Sequence, residues 1–475
     1  YLDFSRAGGN MERLEENFNT YCCQRLDEFI RAYRTDYPDE MVEEFLRYDE
    51  STYKFNLLNN YAQRLRHPLY LIVDEYDNFT NIVLNEQGEA VYHAITHADG
   101  FYRDTFKLFK GMFERIFLTG VSPVTLDDLT SGFNIGWHIS TNPRFDKMLG
   151  FSTEDVRQMF SYYKAEGRLP ADCDVEAMID EMKPWYDNYC FAEECLNSDI
   201  RVFNCDMVLY YLSPPKQMLD PNTKTDYNKL RRLLQFDKLD GDRKGLLMKI
   251  AEEGQIVRDL VLSFPARELT NPEIFPSLLF YYGMLTIVGT YGSQLVLGIP
   301  NNNVRKQYYE YLLENYQPMS DVSLSQLKTF FTQMAFEGQW QGALRYIAEA
   351  YNRCSSVRDA IEGERNIQGF FLAYLSLNDY YLTAPELELA HGFCDFFLLP
   401  DLTHYASKHS YIVEIKYLSK GDQAAKAETQ WREAVEQINR YAVAPRVEAL
   451  RQGTQLHKIV MQFVGWELLR MEEIG

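Results

Sequence analysis

A short apolar run that ends in two acids constrains the fold of this chain more than any other feature. In the stretch LYLIVDEYDNF, at residues 69–79, apolar side chains lead into Asp74 and Glu75. A helical pattern follows at about 100–113, and a second apolar run, RIFLTGV, follows at 115–121. Strands that alternate with helices indicate an α/β domain with a largely parallel sheet.

Two acids at the end of a buried strand suit nucleotide hydrolysis. Asp74 would hold a magnesium ion through its water, and Glu75 would polarise the attacking water. Thr119, at the end of the second strand, would lie beside them, because open α/β sheets bind ligands at the carboxyl ends of their strands. The alternative is that the acids only end a strand where the chain meets solvent. The chain has no Gly-Lys dipeptide, so the phosphate-binding pattern G-x-x-x-x-G-K-[ST] is absent and triphosphate binding would be weak.

A second pattern lies near the other end of the chain. In EIKY, Glu414 and Lys416 are two residues apart on a strand pattern, so both side chains point to one face. Asp395, in GFCDFFLLP, would meet Glu414 if the two strands form a hairpin. Asp395 and Glu414 would then bind Mg²⁺ or Mn²⁺ through oxygen, and Lys416 would stabilise charge on a phosphate. Exposed strands also carry Glu-x-Lys pairs without any role, but the preceding Gly-x-x-Asp favours a site.

Two further polar residues flank this pattern on predicted helices. Glu364, in EGERNIQGFFLAYL, lies on an amphipathic helix before the two strands and could reach the metal or orient a ligand. Gln437, in EQINRYA, lies on the helix that follows them. One catalytic set would therefore contain Asp395, Glu414, Lys416, Glu364 and Gln437.

The rest of the chain predicts three domains, over 1–150, 151–324 and 325–475. Residues 151–275 are mostly helical by pattern, and 284–299 alternates around YGSQ like a β-hairpin. The stretch 274–304 carries no charged residue, but its prolines and glycines favour a helix followed by a hairpin over a membrane span. The last domain shows helices, two strands and a helix from about 426 to 441.

The net charge and the cysteines limit which partners and which cellular compartment the sequence predicts. A net charge of −21 argues against broad nucleic-acid affinity, which rests on Lys and Arg neutralising phosphates. From Ser325 onward there are 15 Lys and Arg against 19 Asp and Glu, a net charge of −4, which leaves −17 of the total −21 on the residues before it. A nucleic-acid contact, with DNA or RNA, is therefore expected in this C-terminal part rather than in the more acidic remainder. Eight irregularly spaced cysteines and the lack of a signal peptide predict a cytoplasmic protein without a membrane partner.

Several stretches, taken in order, resemble one family. They are YLDFS, LIVDEYDN, FLTGVSPVTLDDLTSGFNI, MLGFSTEDV, WYDNYCF, LLFYYGMLTI, LGIPNNNVR, GERNIQGFFLAYL, GFCDFFL, VEIKY and EQINRYA. The chain is similar over nearly its whole length to bacterial AAA-ATPase-like proteins with a C-terminal domain of the PD-(D/E)xK nuclease superfamily. This resemblance implies a P-loop-NTPase-like sheet domain, a helical lid with a winged-helix-like middle, and a restriction-endonuclease-like domain at the end.

The resemblance also implies roles for the candidate residues. Asp395, Glu414 and Lys416 would be the metal-binding and catalytic set, Glu364 an accessory acid and Gln437 a supporting polar residue. Relatives often have His where this chain has Gln368, four residues after Glu364. Family members carry a strand and a P-loop before YLDFS, so we expect this chain to lack that segment and to bind ATP only with it.

Three functions follow as hypotheses. The first is a metal-dependent nuclease that an ATPase module regulates. The second is a non-enzymatic scaffold that binds nucleic acid or protein, with the ATPase module as a switch. The third is an NTPase whose nuclease-like end serves as a scaffold.

Overall fold

The computed structural model describes most of the chain. The described residues are 1–7, 13–78, 101–121, 123–125, 137–198, 201–212, 243–265, 271–320, 322–353, 364–389, 392–402, 404–419, 421 and 424–475. Much of the family-like stretch FLTGVSPVTLDDLTSGFNI, namely 126–135, lies outside them. Each candidate site residue is described.

The elements follow the chain in this order. The helices are α1 Leu14–Ala32, α2 Asp39–Arg47, α3 Ser51–Leu65, α4 Phe101–Met112, α5 Thr153–Ala165, α6 Val175–Tyr186, α7 Cys205–Tyr211, α8 Arg243–Glu253, α9 Phe275–Tyr281, α10 Asn302–Ser320, α11 Leu324–Glu337, α12 Gln341–Arg353, α13 Glu364–Leu375, α14 Ala424–Ala442 and α15 Pro445–Leu450. The strands are β1 Leu2–Asp3, β2 Tyr70–Asp74, β3 Arg115–Leu118, β4 Val124–Thr125, β5 Phe151–Ser152, β6 Val202–Phe203, β7 Gln255–Val257, β8 Phe264–Pro265, β9 Thr286–Tyr291, β10 Gln294–Gly298, β11 Tyr381–Leu389, β12 Gly392–Pro400, β13 His409–Leu418, β14 Gln455–Val464 and β15 Glu467–Glu473.

The chain forms two compact units. The first contains the described residues of Tyr1–Asn142 and Asp259–Leu285, and the second those of Pro143–Leu234, Asp242–Arg258 and Thr286–Gly475. Among the described helices, none combines the length and the apolar character needed to cross a bilayer. The charge-free stretch 274–304 instead contains helix α9 and the hairpin β9–β10, as its glycines and prolines predict.

The first unit is built on a parallel three-stranded sheet in the order β1-β2-β3. On one face, Leu71 and Val73 are buried, and in the same unit the buried rings of Phe4 and Phe18 contact each other with centroids 5.2 Å apart. The opposite face is open: Ile72 is 45% exposed. The predicted parallel sheet of an α/β domain is confirmed. Its first strand, β1, is only two residues long and is followed by a 3-10 helix at Phe4–Ala7.

Gly120 fits a space in this unit that admits no side chain. A Cβ atom at Gly120 would lie 2.4 Å from Asp77 Oδ1 and 2.7 Å from ring carbons of Tyr76. Asp77 is buried and accepts a hydrogen bond from the Val121 N–H at 3.2 Å, so it has little freedom to move away. The turn after β3 therefore requires glycine at this position.

We expect Gly120→Ala to lower the free energy of unfolding by about 1–3 kcal/mol, because the added methyl group overpacks this turn. Gly111→Ala is the matched control: it lies in α4 with no atom within 4 Å of the new Cβ, and alanine favours a helix by about 1 kcal/mol over glycine. Urea unfolding of both variants checks the prediction. Equal stability of the two variants would contradict it.

The second unit contains a five-stranded sheet in the order β11-β12-β13-β14-β15. β13 and β14 run parallel and are joined by α14, whereas the other neighbours are antiparallel. Ile438 of α14 packs in one cluster with Ile412 and Val460 on one face. Phe463, which points to the other face, contacts Phe371 of α13 with ring centroids 5.9 Å apart. Helices therefore cover both faces of this sheet.

The sequence pattern predicts only two of these five strands, β12 and β13. Strand β14 carries the buried run from Ile459 to Phe463, and such a run does not distinguish a strand from a buried helix. The edge strands β11 and β15 mix polar and apolar residues and are defined by their pairing with β12 and β14. The predicted helix after β13 and the antiparallel pairing of β12 with β13 are both present.

The second unit also contains a helical cluster and a small sheet. Helices α5, α6 and α7 share a core that includes Phe160, Met182, Tyr186 and Tyr211. The small antiparallel sheet has the order β7-β10-β9. Residues 151–275, predicted to be mostly helical, therefore also contain the short strands β5 to β8.

A chain of hydrogen bonds links three strands at the edge of the large sheet. His409 Nδ1 lies 2.9 Å from His457 Nε2, and His457 Nδ1 lies 2.7 Å from Glu473 Oε1. Trp340 donates its indole N–H to Glu473 Oε2 at 2.9 Å. The Tyr411 ring stacks on His457 with centroids 4.9 Å apart. This network ties β13, β14 and β15 to the connection between α11 and α12.

The network predicts a pH dependence of stability. Burial, followed by the neighbouring His457 and Lys408, lowers the pKa of His409 below its ordinary 6.5, while Glu473 opposes the shift. The unfolded chain therefore takes up a proton that the folded chain disfavours, so this residue reduces stability as the pH falls below about 6.5. We expect His409→Gln to lose less stability than the unchanged protein between pH 7 and pH 5.5. Identical urea midpoint shifts for both proteins would contradict this.

Candidate functional site

The first candidate group lies at the carboxyl end of β2 in the first unit. The Thr119 hydroxyl donates a short hydrogen bond to Asp74 Oδ1, and the Tyr1 hydroxyl donates to Asp74 Oδ2 at 3.0 Å. The hydrogen bond from Thr119, more than that from Tyr1, lowers the pKa of Asp74, so this carboxylate stays ionised. The structure therefore brings Asp74 and Thr119 together, as the order of strands predicts.

Glu75, the next residue, has an unusual backbone. Its φ of 50° lies in the left-handed region, which costs a residue other than glycine about 1–3 kcal/mol. Such strain concentrates at functional sites, where it aims a side chain. The Tyr76 N–H then donates to the Thr119 carbonyl at 3.0 Å, which ties the turn after β2 to the end of β3. Glu75 itself is exposed.

The second candidate group lies on β12 and β13. The strand pairing runs from Leu398 opposite Tyr411 to Phe396 opposite Val413. Just beyond this pairing, the Ile415 N–H donates to a side chain instead of to the backbone: the acceptor is Asp395 Oδ2, at 2.5 Å. The two strands therefore present Asp395 directly beside Glu414, as the predicted hairpin requires.

Glu414 and Lys416 occupy one face of β13. Lys416 Nζ donates to Glu414 Oε1 at 2.7 Å, and Glu414 is only 1% exposed. Glu414 Oε2 is buried and accepts no hydrogen bond from any described residue. An unmade bond at a buried carboxylate oxygen costs free energy, and a bound cation could supply the missing partner.

The electrostatics of the group agree with that reading. Burial raises the pKa of Asp395, and the nearby Glu414 raises it further. Burial also raises the pKa of Glu414, against the effect of Lys416. Burial opposes the charge on Lys416, but Glu414 and then Asp395 outweigh it and raise the pKa of Lys416 overall. The lysine is therefore protonated, and its single positive charge faces two carboxyl groups, Asp395 and Glu414.

The other predicted members lie on the helices around this sheet. Glu364 is the first residue of α13 and interacts electrostatically with Asp395, Glu414 and Lys416. Gln437 lies on α14, which packs on β13 and β14, and donates its amide N–H to the Tyr441 hydroxyl at 2.7 Å. The structure thus brings Glu364 into the electrostatic environment of the pair and gives Gln437 a partner on its own helix.

Two groups donate to Asp395, and the resemblance to the family pointed to the position of only one of them, Gln368. Gln368 Nε2 donates to Asp395 Oδ1 at 2.7 Å, and the backbone N–H of Ile415 donates to Oδ2. The spacing of Gln368 from Glu364, one helical turn, was the available signal. The Ile415 N–H belongs to the backbone, so the type of side chain at this position does not predict the hydrogen bond.

The residues present fit a hard divalent cation. The carboxylates of Asp395 and Glu414, including Glu414 Oε2, offer oxygen ligands of the kind that Mg²⁺ and Mn²⁺ prefer. Within the described residues, no group of three or more His, Cys, Asp and Glu is arranged to hold a metal. A two-carboxylate site agrees with Mg²⁺, which usually keeps several water ligands.

Two family models match the parts of the chain that contain the two candidate groups. Residues 1–130 match the family model described as Predicted AAA-ATPase, and residues 362–473 match the model of the PD-(D/E)XK nuclease superfamily. No curated protein and no solved structure matches the chain significantly. The resemblance drawn from the sequence motifs is confirmed for these two parts of the chain.

Proposed function

We propose that this chain, which joins an AAA-ATPase-like segment to a C-terminal PD-(D/E)XK domain, cleaves phosphodiester bonds in nucleic acid with a divalent metal ion. The nuclease superfamily typically uses divalent metals. The observation that carries the proposal is the pair of Asp395 and the buried Glu414, whose Oε2 accepts no hydrogen bond from the described part of the chain. A cation bound beside Asp395 would supply the missing partner of this oxygen.

Each residue of the second group has a distinct task in this proposal. Asp395 and Glu414 hold Mg²⁺ or Mn²⁺, which would supply Lewis-acid polarisation of the scissile phosphate. Lys416 is fixed by Glu414 at 2.7 Å and keeps its proton, so its ammonium can stabilise negative charge that grows on the phosphate. Glu364 acts as an accessory acid, and Gln437, oriented by Tyr441, supports the substrate or Lys416.

The first unit would regulate this reaction. We assign Asp74 to a nucleotide-associated Mg²⁺, with Thr119 orienting its carboxylate, and Glu75 to the attacking water. The 475 residues contain no Gly-Lys phosphate loop, so ATP would bind only to a chain that also supplies such a loop. Glu75→Gln in that longer chain should abolish ATP hydrolysis.

The hairpin β9–β10 is assigned to packing rather than to nucleic acid. The order β7-β10-β9, with α8 before β7, matches the sheet of a winged-helix unit, which often binds DNA. Yet the stretch from 274 to 304 has no Lys or Arg that could neutralise a phosphate before Arg305. The exposed hairpin residue Tyr291 offers an aromatic ring but no positive charge.

The second candidate function is a non-catalytic scaffold that binds nucleic acid or protein. The net charge of −21 favours it, because an acidic chain repels the phosphate backbone. In that case, binding would survive Asp395→Asn, and no metal would support cleavage.

The deciding experiment is cleavage of labelled single- and double-stranded DNA and RNA with Mg²⁺ or Mn²⁺. The unchanged chain is compared with Glu414→Gln and with Glu436→Gln, an exposed glutamate of α14 that serves as the control. We expect cleavage by the unchanged chain and the control but not by Glu414→Gln, and the substrate that is cut identifies the nucleic acid. Absence of cleavage with all substrates and both metals would favour the scaffold.

A further inference from the structure

We propose that Gln368 is a positioning residue that holds the Asp395 carboxylate in the orientation needed to bind the metal ion. The inference rests on the proposed function, because it concerns the same metal site. It assigns a role to a residue that lies outside the set Asp395, Glu414 and Lys416.

Asp395 is held at both oxygens. Gln368 Nε2 donates to Oδ1 at 2.7 Å, and the Ile415 N–H donates to Oδ2 at 2.5 Å. A carboxylate has about four lone-pair positions, so each oxygen keeps one that can face a cation. Rotation of the carboxylate about its Cβ–Cγ bond would break at least one of the two hydrogen bonds.

Gln368 lies on helix α13, which is held in place by tight packing. Its neighbours Ile367, Phe370 and Phe371 are 0%, 1% and 0% exposed, and the helix packs on β13 and β11. A side chain locked by such packing keeps a site within the narrow geometry that metal binding requires. The amide must present its N–H₂ group to Asp395, because the carboxylate offers only acceptors.

The neutral amide has a further consequence. A glutamine donor orients Asp395 without adding a charge beside the pair, so it leaves the negative charge of Asp395 and Glu414 available to the cation. Loss of a partner that orients a metal ligand typically costs 10–100-fold in metal affinity. Gln368 should therefore affect the binding of the metal more than the chemistry that follows at saturation.

The test measures Mn²⁺ binding to the full chain by calorimetry without nucleic acid. Gln368→Met keeps the length of the side chain but removes the donor, Gln368→His restores one, and exposed Gln326→Met on α11 is the control. We expect the Kd for Mn²⁺ to rise about 10–100-fold in Gln368→Met, and to recover at least partly in Gln368→His. Cleavage by Gln368→Met at saturating Mn²⁺ should stay within a few-fold of the unchanged chain.

Two results overturn the inference alone. They are an unchanged Mn²⁺ affinity in Gln368→Met, and an equal loss in Gln368→His and Gln368→Met. Failure of the metal site itself is recognised separately, because Glu414→Gln would then bind Mn²⁺ as well as the unchanged chain does, or the unchanged chain would not bind it. If Gln368→Met does not fold, as judged by circular dichroism, Gln368→Ala removes the donor without adding bulk and replaces it.

Discussion

Lys416→Ala is expected to reduce metal-dependent phosphodiester cleavage by at least about 100-fold, since loss of one charge-stabilising donor in an active site typically costs 10²–10³ in kcat. The structure supplies the reason. Lys416 Nζ is held 2.7 Å from Glu414 Oε1, and its side chain is only 17% exposed. Water therefore cannot easily replace the ammonium beside the phosphate.

The control for this prediction is Lys328→Ala, which removes an exposed lysine of α11 in the same unit. Its cleavage rate should match that of the unchanged chain. The rates are compared at several Mg²⁺ or Mn²⁺ concentrations, so that weakened metal binding is separated from a slower reaction. Cleavage by Lys416→Ala within about three-fold of the unchanged chain at saturating metal would exclude the assigned role.

His457→Phe is expected to lower the free energy of unfolding by about 2–4 kcal/mol. The phenyl ring can keep the stacking on Tyr411 but makes neither hydrogen bond. Glu473 then retains Trp340 as its described side-chain donor, and His409 Nδ1 loses its partner. Since His457 is 5% exposed, water cannot readily take the place of these bonds.

Urea unfolding checks this value, with His404→Phe as the control. His404 contacts Asp401 at 2.9 Å, but its side chain is 39% exposed, so the loss of that pair should cost at most about 1 kcal/mol. An equal effect of the two substitutions would show that the buried network adds nothing to stability. Near-UV circular dichroism of His457→Phe confirms that the tertiary structure is retained.

The local sequence pattern predicts a large part of the secondary structure. The β2 strand, the β9–β10 hairpin and the helix α14 follow from periodicity and turn residues, because these properties depend on neighbours within one segment. The shared face of Glu414 and Lys416 follows from the two-residue period of a strand. The strands β11, β14 and β15 did not follow, because their pairing joins segments that are distant in the chain.

By itself, the sequence determined which residues are candidates: Asp74 at a strand end, and Glu414 with Lys416 on one strand face. Only the tertiary structure decided how they are held. The pairing of β12 with β13 places Asp395 on the Ile415 N–H, and the packing of α13 brings Gln368 to the same carboxylate. Burial then leaves Glu414 Oε2 without a hydrogen-bond partner among the residues that the structure describes. These features depend on distance and solvent access, which arise only when remote segments pack together.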